Sequence, residues 1–310
     1  MSKVLITGGA GFIGSNLAEE LVKTNSVRIL DNITTGNLEN LKKIKDKIEI
    51  IKGDIRDFET VKKAIKGTDY IFHLAALVSV PESIKKPIET NNVNVSGTLN
   101  ILSASKELGV KRVIFTSSCA VYGNTAKQPI KENSKLRPES PYALTKLIGE
   151  EYCKLFSKLY NLETVSLRCF NVYGPKQNPK SAYAAVIPKF ISEALRSKIP
   201  TIYGDGNQTR DFVFVKDVVN ANILAMKAKD VSSQVFNIGS GRSETVNELL
   251  EKINKILNKN IKPKHAPQRP GDVKYSLADI SKVKKFLGYS PKHGLEEGLK
   301  ETIKWFRHSS

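Results

Sequence analysis

Few residues in this sequence could build a disulfide framework or a metal centre. Its 310 residues include three cysteines, Cys119, Cys153 and Cys169, and these form no CxxC pair. An odd cysteine count without that spacing argues against a disulfide framework. The four histidines show no metal-ligand spacing either. We therefore expect a reduced, metal-free cytoplasmic protein.

Long apolar runs are absent as well. The longest, such as Ile71–Val80, are far shorter than the roughly 20 residues that a membrane-spanning helix needs. The opening residues Met1–Ile6 form a strand-like run without the pattern of a signal peptide. We expect no membrane-spanning segment.

Acidic residues are in short supply: 31 Asp and Glu stand against 49 Lys and Arg, a formal net charge of +18. Such an excess favours contact with nucleic acid, a membrane surface or a phosphorylated small molecule. Much of it is lysine on predicted helix faces, which fits a solvated surface, and basic-aromatic RNA motifs are absent. We expect a phosphorylated small molecule as partner, with no nucleic acid and no membrane.

The first half of the chain alternates apolar runs with amphipathic stretches, which is typical of βαβ units on a parallel sheet. The pattern predicts an α/β protein with a Rossmann-type, doubly wound parallel sheet, whose ligand lies beyond the carboxyl ends of the strands. The predicted strands are Val4–Thr7, Val27–Leu30, Ile48–Ile51, Tyr70–His73, Arg112–Thr116 and Glu163–Leu167, and the helices Ile13–Lys23, Thr60–Ile65, Val93–Leu108 and Tyr142–Leu159, the last with Ser140 as a cap.

The regularity weakens after about residue 170, where prolines become frequent. We predict a dinucleotide-binding domain over residues 1–170, with residues 209–240 packing back onto it. Residues 171–208 and 241–310 then form a smaller C-terminal α/β substrate lobe. Over residues 171–310 the pattern predicts helices at Val218–Ala228, Glu244–Leu257 and Leu295–Phe306 and a strand at Val235–Ile238.

A glycine-rich turn follows the first predicted strand. Gly9, Gly11 and Gly14 match GxGxxG, where glycines allow close approach of a pyrophosphate that the helix N-terminus stabilises. Asp31, 20 residues past Gly11, could accept hydrogen bonds from a ribose diol and would repel a 2′-phosphate, so NAD is favoured over NADP. The alternative is a purely structural turn. The predicted NAD contacts also include Gly8, Phe12, Ile13 and Asn32.

Two polar residues near strand ends allow more than one interpretation. Asp54 could reach an adenine amino group or could cap a helix. His73 is best interpreted as a buried histidine with satisfied hydrogen bonds. The small residues that follow it permit close cofactor approach, so Ile55, Leu74, Ala75 and Ala76 join Asp54 in the predicted cofactor site.

Tyr142 and Lys146 lie four residues apart on one face of a predicted helix. A tyrosine is a poor base at neutral pH, but an ammonium one turn away and the positive ring of oxidised nicotinamide would stabilise its phenolate. It could then take a proton from an alcohol. Ser117 and Ser118 end the fifth strand and offer a hydroxyl to orient that alcohol. A Tyr-x-x-x-Lys spacing alone is usually structural, but in combination with the glycine-rich turn it predicts a catalytic pair.

Together these motifs resemble the extended short-chain dehydrogenase/reductase family over nearly the whole chain, and within it the nucleotide-sugar 4-epimerases. The resemblance implies that Ser118 is the catalytic serine, Tyr142 the base and Lys146 its partner. It also implies that Asn94 contributes to the cofactor pocket. Related dehydratases and decarboxylases carry a carboxylate just after the serine, whereas Ser118–Val121 contains none.

The resemblance extends to substrate-binding segments. It implies that Asn171, Val186, Ile187 and Tyr203 contact a UDP-sugar, and that Arg210, Arg269 and Asp272 clamp the nucleotide. In those epimerases the fourth residue after the clamp aspartate limits the space around the C2 substituent of the sugar. That residue is Ser276, which is small enough to admit an N-acetyl group. Val78 lies where some glucose-type epimerases have lysine.

The resemblance therefore predicts inversion at C4 of UDP-N-acetylglucosamine, with UDP-glucose as a further substrate, by a homodimer formed through helices Val93–Leu108 and Tyr142–Leu159. Two rivals stay open. One is another NAD-dependent UDP-sugar enzyme, such as a UDP-glucuronate epimerase, a decarboxylase, or a dehydrogenase or reductase. The other is a non-enzymatic NAD-binding regulator, in which a Ser-Tyr-Lys set would have no task.

Overall fold

A seven-stranded parallel sheet forms the centre of the molecule. The computed structural model describes residues 1–179, 185–267 and 273–309. The strands are β1 (Lys3–Thr7), β2 (Ser26–Asp31), β3 (Ile48–Lys52), β4 (Tyr70–His73), β5 (Arg112–Ser118), β6 (Glu163–Cys169), β7 (Asn171–Tyr173), β8 (Thr201–Tyr203), β9 (Thr209–Arg210), β10 (Phe212–Phe214), β11 (Gln234–Ile238), β12 (Glu244–Thr245) and β13 (Lys264–Ala266).

The order in the large sheet is β3-β2-β1-β4-β5-β6-β11, with every neighbouring pair parallel. The chain fills one side of β1 first and then crosses to the other side. This reversal leaves a crevice at the carboxyl ends of β1 and β4, where ligands of such sheets bind. The predicted doubly wound α/β fold is confirmed, and each predicted strand lies within two residues of an observed one.

Helices cover both faces of the sheet. They are α1 (Phe12–Leu21), α2 (Phe58–Ile65), α3 (Val80–Lys85), α4 (Pro87–Asn91), α5 (Gly97–Glu107), α6 (Pro141–Tyr160), α7 (Val186–Leu195), α8 (Val215–Lys227), α9 (Val246–Leu257), α10 (Ser281–Leu287) and α11 (Leu295–Ser309), with 3₁₀ helices at Leu38–Lys47 and Cys119–Tyr122.

The two sheet faces bury separate cores because successive strand residues point to opposite sides. On β1, Val4 and Ile6 pack in the core beneath α1 and α8, whereas Leu5 packs in the core beneath α2 and α5. None of the helices in the described part of the chain is long and apolar enough to cross a membrane. All three cysteines are free thiols.

A further core joins α7, α9 and α11 with β10, through side chains such as Phe190, Leu249 and Leu299. α8 and β11 pack on the central sheet, and the division into a dinucleotide-binding domain and a substrate lobe stays a proposal. Residues 278–289, assigned to the lobe, pack on the sheet core through Ala278 and Val283 because α10 lies against β11.

Local capping explains several helix boundaries. The Ser140 side chain accepts a hydrogen bond from the Ala143 N–H and caps α6 as predicted. The helix predicted from Glu244 begins two residues later, because Thr245 and Glu248 form a capping box. The helix predicted at Val93–Leu108 is π-helical over Asn92–Ser96 and becomes α-helical at α5.

Candidate active site

The glycine-rich turn holds the end of β1 against the end of β4. Gly8 has φ +70°, and a Cβ built on it would lie 2.8 Å from the backbone nitrogen of Ala75. A Cβ on Gly14 would overlap the carbonyl oxygen of Gly8. Both positions therefore require glycine, the first for its conformation and the second for its packing.

The N-terminus of α1 is built to accept an anion. Gly11 is its N-cap and forms no side-chain capping hydrogen bond, and its first turn carries no acidic residue. Within the described residues, the first-turn N–H groups of Phe12, Ile13 and Gly14 thus have no side-chain capping acceptor, and the helix dipole favours an anion at this end. This arrangement fits the pyrophosphate of a dinucleotide.

Asp31 fixes the turn from the end of β2. Its carboxylate accepts hydrogen bonds from the Ala10 N–H at 2.9 Å and the Ile33 N–H at 2.8 Å. These bonds hold a negative charge beside the turn and leave further lone pairs for ribose hydroxyls. The position agrees with the predicted preference for NAD.

Asp54 and Asn32 form a polar cluster at the ends of β3 and β2. The Asn32 amide donates to Asp54 at 2.9 Å, and Arg56 forms a bidentate ion pair with the same carboxylate. The Arg56 guanidinium holds the pKa of Asp54 well below its usual range. The helix-cap alternative for Asp54 is wrong, because Asp57 caps α2. The Ile55 side chain is buried in the core and offers a ligand only its backbone.

The loop after β4 follows the cofactor turn closely. The Leu74 N–H donates to the Thr7 carbonyl at 3.1 Å, and the Ala75 N–H to the Thr7 hydroxyl at 3.2 Å. Ala76 continues this loop. The Leu77 N–H donates to the side-chain oxygen of Asn94 at 2.8 Å, and the side-chain NH₂ of Asn94 donates to the Leu77 carbonyl at 3.0 Å. Asn94 therefore shapes the predicted pocket by fixing its wall.

His73 is the buried, hydrogen-bonded histidine that the sequence favoured. Its Nδ1 lies 2.7 Å from the Thr7 hydroxyl and its Nε2 2.9 Å from the Thr98 hydroxyl. Burial, with a smaller effect of the Lys146 charge, lowers the pKa of His73 to about 3. The neutral ring is a structural link between β1, β4 and α5.

The predicted Ser-Tyr-Lys set comes together between β5 and α6. Ser118 ends β5, and its hydroxyl interacts with the phenol of Tyr142. One turn along α6, the buried Lys146 ammonium donates to the Thr116 carbonyl at 2.8 Å and lies 5.0 Å from the centroid of the Phe115 ring. The end of β5 therefore contacts both members of the Tyr-x-x-x-Lys pair.

Burial shifts the titration of both groups toward their neutral forms. It raises the pKa of Tyr142 to about 12, although the hydrogen bond with Ser118 acts in the opposite direction. It lowers the pKa of Lys146 to about 8. The phenol therefore needs a further positive charge before it can act as a base near neutral pH.

Two hydroxyls that were not predicted from the sequence hold the backbone of Tyr142. The Thr145 hydroxyl donates to the Tyr142 carbonyl at 2.8 Å and accepts from the Asn94 amide at 3.0 Å. The Tyr142 N–H donates to the Ser83 hydroxyl of α3 at 3.1 Å. Thr145 stands inside the Tyr-x-x-x-Lys motif, so its place was visible, whereas nothing in the sequence separates Ser83 from other serines.

Three of the predicted substrate residues, Asn171, Arg210 and Ser276, lie close in the chain or by hydrogen bonding to the buried Asp211 or to a residue that bonds to it. The Asn171 N–H donates to the Asp211 carbonyl, and the Ala278 N–H donates to the Asp211 carboxylate, two residues beyond the buried Ser276. Arg210 lies close enough to Cys119, the neighbour of Ser118, for its charge to lower the pKa of that thiol against the effect of burial.

The remaining substrate predictions have different outcomes. Val186 and Ile187 start α7, but Ile187 is buried in the lobe core, so its side chain cannot line an open site. The ring centroid of Tyr203 lies 5.7 Å from the Lys189 ammonium, and Val78 is 65% exposed. Arg269 and Asp272 lie outside the described residues.

A doubly wound sheet with this turn and this Ser-Tyr-Lys set defines a short-chain dehydrogenase/reductase. The chain belongs to the GDP-mannose 4,6-dehydratase family, which matches residues 5–302. The family is NAD-dependent, so the predicted cofactor and the predicted resemblance are confirmed.

Known relatives of this chain include epimerases and a decarboxylase. UDP-N-acetylglucosamine 4-epimerase from Methanobrevibacter ruminantium, solved with UDP-N-acetylmuramic acid, is 45% identical with a TM-score of 0.96, over 100% of this chain and 99% of that one. Thermus thermophilus UDP-glucose 4-epimerase, solved with NAD, is 35% identical with a TM-score of 0.92, over 99% and 100%. UDP-N-acetyl-alpha-D-glucosaminuronate decarboxylase from Bacillus cytotoxicus is 38% identical over 98% of both chains.

The overlap at Gly14 predicts a loss of cofactor binding. We expect Gly14→Ala to weaken NAD binding about tenfold or more in titration calorimetry, since losing about 1.4 kcal/mol of binding free energy suffices for that factor. The matched control is Gly294→Ala, because nothing lies within 4 Å of a Cβ at Gly294. Equal NAD affinities of the two variants would contradict the assignment of the turn.

The raised pKa of Tyr142 predicts a cofactor-dependent titration. Without NAD we expect no phenolate from this residue up to about pH 10, and with NAD a fall of its pKa by about one unit or more, because the cationic ring favours the phenolate. The measurement is the ultraviolet phenolate absorbance of the protein, with Tyr142→Phe as baseline. The reduced cofactor, whose ring is neutral, is the control; the same pKa with and without NAD would be the contrary result.

Proposed function

We propose that this enzyme inverts C4 of a UDP-hexose through a transient 4-keto sugar. The observation that carries the proposal is the grouping of Ser118, Tyr142 and Lys146 at the end of β5. The adjoining 3₁₀ helix, Cys119–Tyr122, contributes no carboxylate for elimination or decarboxylation. Epimerisation needs only removal and return of a hydride and a proton, and this set supplies the proton chemistry.

The chain's residues divide the proton chemistry among them. NAD held by the Gly8–Gly14 turn and Asp31 would supply the hydride acceptor and donor for C4. Tyr142 takes the proton of the 4-hydroxyl, and Lys146 stabilises the phenolate from one turn away. Ser118 orients the sugar oxygen. After the keto sugar turns about its diphosphate linkage, the hydride returns to the opposite face of C4 and Tyr142 gives the proton back to the C4 oxygen. C4 is therefore inverted without net oxidation.

We assign the N-acetylated UDP-sugars as the principal substrates, with UDP-glucose and UDP-galactose as smaller alternatives. The proposed gate Ser276 is small, and its neighbour Leu277 is held by the Gln128 side chain through a 2.8 Å hydrogen bond. The 45% identical relative is named as an enzyme of UDP-N-acetylglucosamine. We propose UDP-N-acetylglucosamine to UDP-N-acetylgalactosamine as the main interconversion.

A decarboxylase or a UDP-glucuronate epimerase is the second candidate. The 38% identical decarboxylase relative favours it, and another relative, 32% identical, is a UDP-glucuronate 4-epimerase. A uronate carboxylate would need a cation near the sugar, and Arg210, close to Cys119, is the candidate in the described part of the chain. The absence of a carboxylate in Cys119–Tyr122 favours the neutral hexoses.

The test is incubation of the NAD-loaded enzyme with separate UDP-sugars, followed by separation of the C4 epimers. We expect Ser276→Tyr to lower the epimerase activity on the acetylated sugars about 100-fold, because the tyrosine ring would fill the space of the acetyl group. The activity on UDP-glucose is expected to stay unchanged. Ser276→Ala is the control and keeps both activities. Carbon dioxide release, or no epimer from any UDP-hexose, would overturn the proposed reaction; equal losses on both sugar types would overturn the gate alone.

We also propose a homodimer through α6. Leu144, Leu155 and Leu159 are exposed, and the half-buried Ile148 lies on the same helical stripe. Ile88, 76% exposed on the adjacent α4, extends this apolar surface. An unpartnered stripe of this kind fits a second copy of the same helix.

The stripe makes a direct prediction about assembly. We expect Leu155→Lys to convert the dimer to monomer in sedimentation velocity, because a charge would be buried at the helix contact. Ile199→Lys places the same charge on an exposed apolar residue of the lobe and leaves the dimer intact. A monomeric wild-type protein would contradict the proposal.

A further inference from the structure

A buried ion pair lies directly beneath the proposed catalytic residues. Glu150 follows Lys146 by one turn and Tyr142 by two turns on the same face of α6, and it is fully buried. Its carboxylate accepts two hydrogen bonds from Arg168 of β6, Nε to Oε1 at 2.9 Å and Nη2 to Oε2 at 2.6 Å. This bidentate geometry fixes both distance and orientation.

The same carboxylate also contacts the strand that carries Ser118. The Ser117 hydroxyl donates to Glu150 Oε1 at 2.5 Å. Thr116, one residue earlier, accepts from the Lys146 ammonium. The two side chains Lys146 and Glu150 therefore hold α6 to consecutive residues of β5, immediately before Ser118.

Arg168 extends the network to the turn after Ser118. Its guanidinium donates to the Tyr122 hydroxyl at 2.8 Å and to the Glu132 carbonyl at 3.0 Å. The Tyr122 hydroxyl in turn donates to Asn237 of β11 at 2.6 Å. Arg168 thus joins α6, the 3₁₀ helix and β11, three residues before the proposed substrate residue Asn171.

We propose that Glu150 and Arg168 are positioning residues, which hold Tyr142 and Lys146 in register with Ser118. The inference rests on the proposed function, because it assigns a task in that same reaction. Apolar side chains could fill such a site without loss of stability, and a buried ion pair is costly to desolvate. The bidentate pair of hydrogen bonds between Glu150 and Arg168 fixes the register of α6 against β6. Non-directional apolar contacts would not fix this register.

The charges around Lys146 make the proposal testable by pH. Its titratable neighbours are His73 from β4, Cys169 from β6, and Cys153 and Glu150 from α6. Burial keeps His73 and both thiols neutral near pH 7. Replacing Glu150 by glutamine removes its negative charge and leaves the Arg168 cation uncompensated. Both changes lower the pKa of Lys146, so its ammonium is lost at a lower pH.

The experiment compares NAD-loaded variants of the full chain for kcat, KM and pH profile. For Glu150→Gln we expect kcat to fall about 10- to 100-fold with KM within about threefold, because a small displacement of catalytic groups acts on the chemical step. We expect the alkaline limb of the profile to move down by about one pH unit. Arg168→Lys keeps the charge but loses the bidentate pair of hydrogen bonds, so kcat falls and the limb stays in place.

Two further variants guard against a simple loss of folding. Ser117→Ala removes one hydroxyl and should lower kcat severalfold without moving the limb. Glu20→Gln breaks the exposed pair with Lys23 at the far end of α1, away from the site and from the proposed dimer stripe, and should leave all three parameters unchanged. Variants that melt earlier but keep the wild-type kcat and alkaline limb would overturn the positioning role alone. A wild-type enzyme that epimerises no UDP-hexose would overturn the proposed function and this inference together.

Discussion

The rest of the site depends on the burial of the Lys146 ammonium between β5 and α6. Burying a cation costs free energy unless fixed partners replace its hydration. Here the partners are the Thr116 carbonyl and the face of the Phe115 ring. Both partners belong to the strand that ends in Ser118. The contact that keeps the charge buried therefore also sets the distance between helix and strand. The same burial lowers the pKa of Lys146 to about 8, so the ammonium loses its proton at a pH only slightly above neutral.

The cofactor side reaches the same helix through hydroxyls and amides. Thr7 bonds to His73 and Ala75, Asn94 holds Leu77, and Thr145 joins Asn94 to the backbone of Tyr142. Because parallel strands end at one edge, these short contacts run without interruption from the glycine-rich turn to the proposed base. The turn that follows β1 and the helix that carries the proposed base are thus joined by one continuous set of contacts.

The central sheet and the glycine-rich turn could be predicted from the sequence, because there the hydrophobic periodicity and the backbone geometry are compatible with only one local structure. The alternation of apolar runs with amphipathic stretches predicted the sheet. Gly8 and Gly14 marked a turn in which neither position tolerates a larger residue. The sequence did not predict α3, α4 and α7, because these helices contain prolines that punctuate the pattern while being tolerated in a first turn. It missed Glu150 and Arg168 as a pair, since their contact joins a helix to a strand and leaves no mark in local spacing. The burial of Ile187 was missed for the same reason: whether an apolar residue faces a core or a ligand depends on the lobe packed around it.

The two halves of the site differ in the kind of structure that carries them. Ser118, Tyr142 and Lys146 lie on a seven-stranded sheet and a 20-residue helix. Asn171 and Arg210 lie on strands of two or three residues, and Ser276 lies on a loop. Asn171 donates to the Asp211 backbone, and the Asp211 carboxylate accepts from Ser240, Gly241 and Ala278, the last of which lies two residues beyond Ser276. Short segments of this kind accept substitutions without disturbing the sheet. A common hydride-transfer core can therefore serve enzymes named for different sugars, and we propose that the choice among those sugars rests with the segments next to Asp211.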